Sequence, residues 1–270
     1  MNKWGKGLMV VVMALGLAGC ADDGIVKESR VQEPAMPTAE QLIAKITEAS
    51  EGLSSFVQET QSWLNTDMAQ AESQVNQTVE TKSTTEVVMA PLQMHQVSQL
   101  QILGKEEQKL EIYLVEGGYF TSMNGYWRKM PESMSELIMT PLQLEASPGR
   151  RMEQFKTILP YLSVTEEGGD YVLKARASGE QMKDFTAYYR LQYGSGELAE
   201  QQISAVKSMS ILYSVDKQTY WPTRTEDEMV TDDRRGGQGM YSKVKRRTDI
   251  GKYNTLSEIE LPEEALNVLQ

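Results

Sequence analysis

A succession of segments with the period-two signature of β-strands runs from Phe56 to Met130, and it constrains the fold more than any other feature. Successive side chains of a strand point to opposite faces, so alternation defines one buried face and one wet face. Lys109 to Val115 shows it clearly, with Leu110, Ile112 and Leu114 opposite Glu111, Tyr113 and Val115. Gln93 to Leu103 sets Met94, Gln96, Ser98, Leu100 and Ile102 on one side. Phe56 to Leu64 and Gln74 to Met89 are rich in threonine, which favours extended backbone. Gly117-Gly118 marks a turn before Tyr119 to Met123, and Asn124-Gly125 is a strong hairpin signal leading into Tyr126 to Met130. Strands return at Gln202 to Val215, at Thr219 to Val230 beyond the turn Asp216-Lys217-Gln218, and at Met240 to Tyr253.

Helical spacing marks four stretches before and between these strands. Pro37 and the capping-box sequence Thr38-Ala39-Glu40-Gln41 open a helix whose face is Leu42, Ile43, Ile46, Ala49 and Leu53. Glu132 to Leu144 carries Met134, Leu137 and Ile138, and Arg150 to Leu159 carries Met152, Phe155 and Ile158, with Pro141, Pro148 and Pro160 breaking the pieces. After a short hairpin, Tyr161 to Thr165 and Tyr171 to Ala177, Gln181 to Leu191 presents Met182, Phe185, Tyr188 and Tyr189. Leu256 to Ala265 closes in a short helical turn. Amphipathic helices among so many strands need a sheet to cover.

The N-terminal region sets an expected address. Lys3 and Lys6 precede the uncharged run Leu8 to Leu17, and Leu17-Ala18-Gly19-Cys20 resembles a bacterial lipobox. The expectation is a signal peptide over residues 1–19, acylation of Cys20, and a flexible tether over 20–36 that holds a single domain, 37–270, on the extracytoplasmic face of the cell membrane. The apolar run is shorter than the roughly 20 residues a spanning helix needs. Cys20 is the sole cysteine, so there is no disulfide and no thiolate metal site. The precursor carries a net charge of −11, and cleavage removes two lysines and no acid. Such a chain is a poor partner for nucleic acid.

Candidate chemistry is sparse. His95 is the one histidine, so neither a zinc site nor a Ser-His-Asp triad has the ligands or accompanying motifs it needs. A sheet-edge or hydrogen-bonded role is the simpler reading of His95. Ser204-Ala205-Val206-Lys207 matches Ser-x-x-Lys but falls at an expected strand start, where residues three apart face opposite sides. Glu226, Asp227, Glu228, Asp232 and Asp233 lack the order of a calcium loop and read as a solvated hairpin end. The basic residues Arg234, Arg235, Lys243, Lys245, Arg246 and Arg247 are their expected cross-strand partners, the other reading being a contact with anionic headgroups or a wall polymer. No catalytic residue, metal or cofactor is expected.

The segments Pro91-Leu92-Gln93-Met94-His95-Gln96, Tyr126-Trp127-Arg128-Lys129-Met130-Pro131, Asp216-Lys217-Gln218-Thr219-Tyr220-Trp221-Pro222 and Leu261-Pro262-Glu263-Glu264-Ala265, following a lipobox and a capped helix, form a larger pattern. It resembles the uncharacterised lipoproteins of Bacillus-type Firmicutes that share a LolA/LppX/LprG-like fold. The resemblance implies an α+β fold: a strongly curved antiparallel sheet, an incomplete barrel, with helices on its concave face. It also implies a lipid or lipoprotein ligand in the hollow. Methionine adapts its shape, and the chain has 16 of them. In an open hollow the expected lining is Phe56, Met94, Leu100, Ile102, Met134, Met152 and Met182. The chain is expected to be a monomer. The competing reading is a surface interaction or sensing module whose hollow is simply its core and which takes no small-molecule ligand.

Overall fold

In the computed structural model residues 36–70, 73–132, 146–193, 197–234 and 238–269 are described. The first helix, α1 (Ala39–Ser50), starts as its capping box dictates. Thr38 Oγ1 accepts from the Gln41 amide at 3.2 Å, and Gln41 Oε1 accepts from the Thr38 amide at 3.0 Å. Its buried face is Leu42, Ile43 and Ile46.

Eleven strands follow: β1 (Ser55–Gln70), β2 (Ser73–Met89), β3 (Leu92–Ile102), β4 (Gln108–Val115), β5 (Gly118–Met123), β6 (Tyr126–Lys129), β7 (Ser163–Glu167), β8 (Asp170–Ser178), β9 (Val206–Asp216), β10 (Pro222–Asp232) and β11 (Gly239–Gly251). They form one sheet in the order β6-β5-β4-β3-β2-β1-β11-β10-β9-β8-β7, and every neighbouring pair is antiparallel. All but one of the junctions join strands consecutive in sequence. The exception, β1 against β11, closes the middle of the sheet with Val57 opposite Gly251 and Ala69 opposite Gly239. The strands β6 and β7 remain as edges, so the sheet curves into an incomplete barrel and does not close.

The helices α2 (Pro148–Lys156), α3 (Thr186–Tyr193) and α4 (Glu197–Ala205) lie between β6 and β9 in sequence, and α5 (Glu263–Leu266) ends the chain. On the concave side Leu42, Ile46, Met152, Phe155, Phe185 and Tyr188 pack with Leu173, Met209, Ile211 and Tyr213 from β8 and β9. A second cluster on that side joins Phe56, Val87, Met94, Leu114 and Tyr119 from β1 to β5 with Ala146. A third lies on the convex side, where Ile259, Leu261 and Ala265 of the C-terminal segment cover Tyr113 and Phe120.

One expected strand is corrected. Gln202 to Ala205 belongs to α4, and β9 starts at Val206. Ile203, Val206 and Met209 sit three apart while Met209, Ile211 and Tyr213 sit two apart. The helical and extended periods therefore merge where both elements feed the same core. The expected helix Glu132 to Leu144 falls, from 133 onward, outside the described residues.

Candidate functional site on the concave face

Strand register sorts the concave face into rows. At the start of β1 lies the buried row Phe56, Val87, Met94, Leu114 and Tyr119. Two rows of hydroxyl and amide side chains follow. One is Gln58, Thr85 and Gln96; the other is Thr60, Ser83 and Ser98, continued by Thr248 and Thr225. Thr85, Ser98 and Thr248 are buried, and the hydroxyls of Thr60 and Thr248 lie 2.9 Å apart. Beyond them Ser62, Arg246 and Asp227 align across β1, β11 and β10, and Arg246 Nε donates to Asp227 Oδ1 at 3.2 Å. Further out the face turns apolar again, with Leu64, Val79 and Ile102 on one side and Val244 and Met229 on the other, all half-buried. At the tip Met68, Val75 and Met240 are exposed at 36%, 48% and 40%.

Two cavities lie between this face and the helices. A 60 Å³ chamber has an apolar wall including Leu53, Phe56, Pro222 and Ile250, and a polar wall including Gln58, Thr60, Arg151 and Thr248. Tyr213 and Tyr253 reach it from β9 and from the end of β11. A 280 Å³ chamber is lined by Tyr188, Tyr189, Met209, Ile211, Met229 and Val244, and it shares Arg151, Asp227 and Arg246 with the smaller one. Arg151 comes from α2 and donates from Nη1 to Gln154 Oε1 at 3.1 Å. Burial pushes the Tyr213 and Tyr253 hydroxyls well above the usual phenol range, so both stay protonated and remain donors.

Tyr253 is aimed by its neighbours. Asn254 Oδ1 accepts from the Ser54 amide at 2.8 Å and from Ser54 Oγ at 3.0 Å, while its Nδ2 donates to the Gly52 carbonyl at 3.0 Å. The link from α1 to β1 is thereby tied to the end of β11. Lys252 and Asn254 are both left-handed, with φ of 50° and 57°, so the backbone turns sharply on either side of Tyr253.

The seven expected lining residues scatter. Phe56 lines the small chamber, and Met94 lies in the buried row beside it. Leu100 and Ile102 are half-buried on the outer part of the same face. Met152 is fully buried in the helical core, Met182 packs at its margin, and Met134 lies outside the described residues. Sequence reasoning missed Arg151, Tyr253 and the hydroxyl belt. The belt had a signal: Gln58, Thr60 and Ser62 share the parity of Phe56, so the face of β1 that begins apolar continues polar.

His95 lies on the convex face of β3, an interior strand, so the sheet-edge alternative is corrected and the hydrogen-bonded one stands. Its Nδ1 is 3.0 Å from Glu86 Oε2, its Nε2 is 3.2 Å from Glu111 Oε1, and its ring stacks on Tyr113 at 4.2 Å. Burial alone would raise Glu111, but hydrogen bonds from His95 and Lys109 outweigh it and hold the carboxyl below its usual range. Burial, with Glu111 beside it, pushes Tyr113 up to about 12. Ser204 Oγ donates to the Gln201 carbonyl at 2.8 Å and Lys207 Nζ to the Ser204 carbonyl at 3.3 Å, which is a helix end rather than a serine–lysine pair.

Glu226, Asp227 and Glu228 lie within β10, not at a hairpin end. They face Arg247, Arg246 and Lys245 in register, with ion pairs from Arg247 to Glu226 at 3.5 Å and from Lys243 to Glu228 at 2.9 Å. The expected cross-strand pairing is therefore present. Among the described residues no cluster of three or more His, Cys, Asp or Glu is placed to hold a metal ion, and no helix is long and apolar enough to cross a membrane.

An open antiparallel half-barrel with a partly lined hollow defines the architectural class. The chain belongs to the Family of unknown function (DUF6612), which matches residues 38–270. No curated protein matches it. Among solved structures it is similar to a LolA superfamily protein from Nitrosomonas europaea at 10% identity and a TM-score of 0.20, covering 85% of this chain and 97% of that one. It is also similar to a DUF1329 family protein from Desulfovibrio piger, at 9% identity and a TM-score of 0.22, covering 82% and 96%. The superpositions are loose, and neither ligand nor mechanism passes from those molecules to this one.

Proposed function

We propose that this chain is an extracytoplasmic lipoprotein, acylated at Cys20 and moored through the tether 20–36, that shelters a lipid or other hydrophobic ligand on its concave face. One observation carries the reading. Leu64, Val79, Leu100 and Ile102 form a half-buried apolar surface on the inside of a curved sheet, and among the described residues none of them joins a buried cluster. A surface of this kind gains about 25 cal/mol for each Å² that a ligand removes from water. The chemistry is binding rather than bond-making, since His95 and Ser204 are occupied in structural contacts. The resemblance to envelope lipoproteins, and its Bacillus-type origin, belong to the same proposal.

An environment-sensitive apolar dye tests it on the soluble Cys20→Ala domain. The account expects saturable binding that Leu64→Glu and Ile102→Glu each weaken at unchanged thermal stability. Dye affinity equal in wild type and both variants would remove the concave face from the function. A second reading, a surface interaction module with a filled core, draws on the close packing of Met152, Phe155 and Phe185 against β8 and β9. It predicts no saturable dye binding at all.

A further inference from the structure

The strands β1 and β2 outrun their neighbour. β3 pairs with β2 only from Val79 onward, opposite Ile102, while β2 itself begins at Ser73. At roughly 3.3 Å per residue the β1–β2 hairpin projects about 20 Å past that point. On its other flank β11 accompanies β1 as far as Gly239, opposite Ala69. The result is a tongue of strands at one end of the sheet.

The tongue carries apolar side chains where a solvated hairpin would carry polar ones. Met68, Val75 and Met240 form one cross-strand row, and all three are exposed. Leu103, in the turn after β3 at the same end, is 83% exposed. Further along that edge Met123 and Tyr126 flank the β5–β6 turn, and both are exposed. The turns at the opposite end, at residues 90–91, 116–117, 168–169 and 217–219, expose no large apolar side chain among the described residues. Exposed apolar groups gathered at one place mark a contact with a membrane or another protein. Only the row of Thr66 and Ser242 separates them from the half-buried Leu64 and Val244 of the concave face.

The acids of this end are engaged within it. Arg234 lies 2.7 Å from Asp232 and 3.8 Å from Asp67, and Asp233 Oδ1 accepts from the Met240 amide at 2.6 Å. What the tip offers a partner is therefore its apolar side chains and not an open cluster of charge. The start of the chain says which partner is within reach. The sixteen residues from Ala21 to Met36 follow the lipobox cysteine. A flexible chain of that length spans about 20–25 Å r.m.s. and roughly 55 Å when extended. A domain on such a tether stays beside the bilayer that holds its anchor and is free to turn its tip onto it.

We propose that the tip of this tongue, with Leu103 beside it, docks on the lipid bilayer and seats Met68, Val75, Leu103 and Met240 at the level of the headgroups. The inference rests on the lipoprotein reading above and adds the face that meets the membrane. Apolar side chains set at that depth bind in proportion to the area they bury.

Cys20 is the only cysteine, so Cys20→Ala leaves a chain that takes a single label wherever one cysteine is introduced. The chain from residue 20 is held on phosphatidylcholine vesicles through an N-terminal hexahistidine tag and a nickel-chelating lipid, which stand in for the acyl anchor. A polarity-sensitive fluorophore on Val75→Cys should shift to the blue and be quenched by nitroxide-labelled lipid. The same fluorophore on Thr219→Cys, at the opposite end, should stay in water. Leu103→Glu should lower partition of the untagged chain into the same vesicles about tenfold, at unchanged Tm and unchanged binding of the apolar dye. Both labels remaining in water while the dye still binds would overturn the docking face and leave ligand carriage intact. Entry of the Thr219→Cys label in place of the other would overturn it as well. Insertion of the tip in a chain that binds no dye would support the docking face and remove the carrier reading. Dimerisation that Leu103→Glu abolishes, with no lipid signal, would overturn the proposal and assign the tip to a second copy of the chain.

Discussion

Asn254 shows how much one side chain can do in this molecule. It accepts from Ser54, donates to Gly52 and tolerates a φ of 57°, a backbone region that asparagine visits more readily than most residues. Asn254→Ala removes the hydrogen bonds and adds strain, so it should destabilise the domain by about 2 kcal/mol, or roughly 4–8 °C in Tm. Asn254→Gly keeps the left-handed turn and should lose less; equal losses would assign the effect to hydrogen bonding alone. The carboxylates supply a second expectation. Glu111, Asp216, Asp232 and Asp249 all titrate below their usual range: Glu111 and Asp249 through side-chain hydrogen bonds that outweigh burial, Asp216 through backbone amides, and Asp232, near 2, through Arg234. A depressed folded-state pKa adds stability above the unfolded value, and that stability disappears as pH falls through the folded one. Tm measured downward from pH 5.5 should fall progressively, and a flat profile to pH 3 would contradict these pairings. The Asn254 contacts were not legible in the sequence, because Asn254 and Ser54 are brought together by the β1–β11 junction and not by any local pattern, whereas Arg234 was among the expected partners of Asp232.

At the scale of elements the local signals were strong where one principle acted alone. The Asn124-Gly125 turn has φ of 50° and 89°, as a two-residue hairpin requires, and Asn124 Oδ1 also accepts from the Lys109 amide of β4 at 2.8 Å. The α1 capping box is present atom for atom, so Thr38→Ala should cost about 1 kcal/mol, read as a lowered urea midpoint at unchanged slope. The junction of α4 and β9 was misread because a period of three ran into a period of two on one core. His95 belongs to this scale, since it stitches β2, β3 and β4 together through Glu86 and Glu111. His95→Ala should lower stability by roughly 1–2 kcal/mol and leave dye binding on the opposite face unchanged. Loss of binding in that variant would couple the two faces in a way the structure does not anticipate.

For the whole molecule, alternating strands and four helical stretches were enough to imply an antiparallel sheet covered on one side. The order of the sheet was less accessible. The eleven strands stack in two runs, β1 to β6 and β7 to β11, each in sequence order, but the seam of β1 against β11 joins residues nearly two hundred positions apart. That seam creates the hollow, because it places the hydroxyl-rich middle of β1 beside Arg246 and Thr248 of β11. The expectation of a uniformly greasy lining therefore gives way to a banded one: apolar, polar, then apolar again. Native mass spectrometry of the soluble Cys20→Ala domain, purified without detergent, tests the central claim most directly. The account predicts a bound species of lipid mass that organic solvent releases and that Leu64→Glu abolishes. A domain of bare polypeptide mass that takes up no added amphiphile would contradict it.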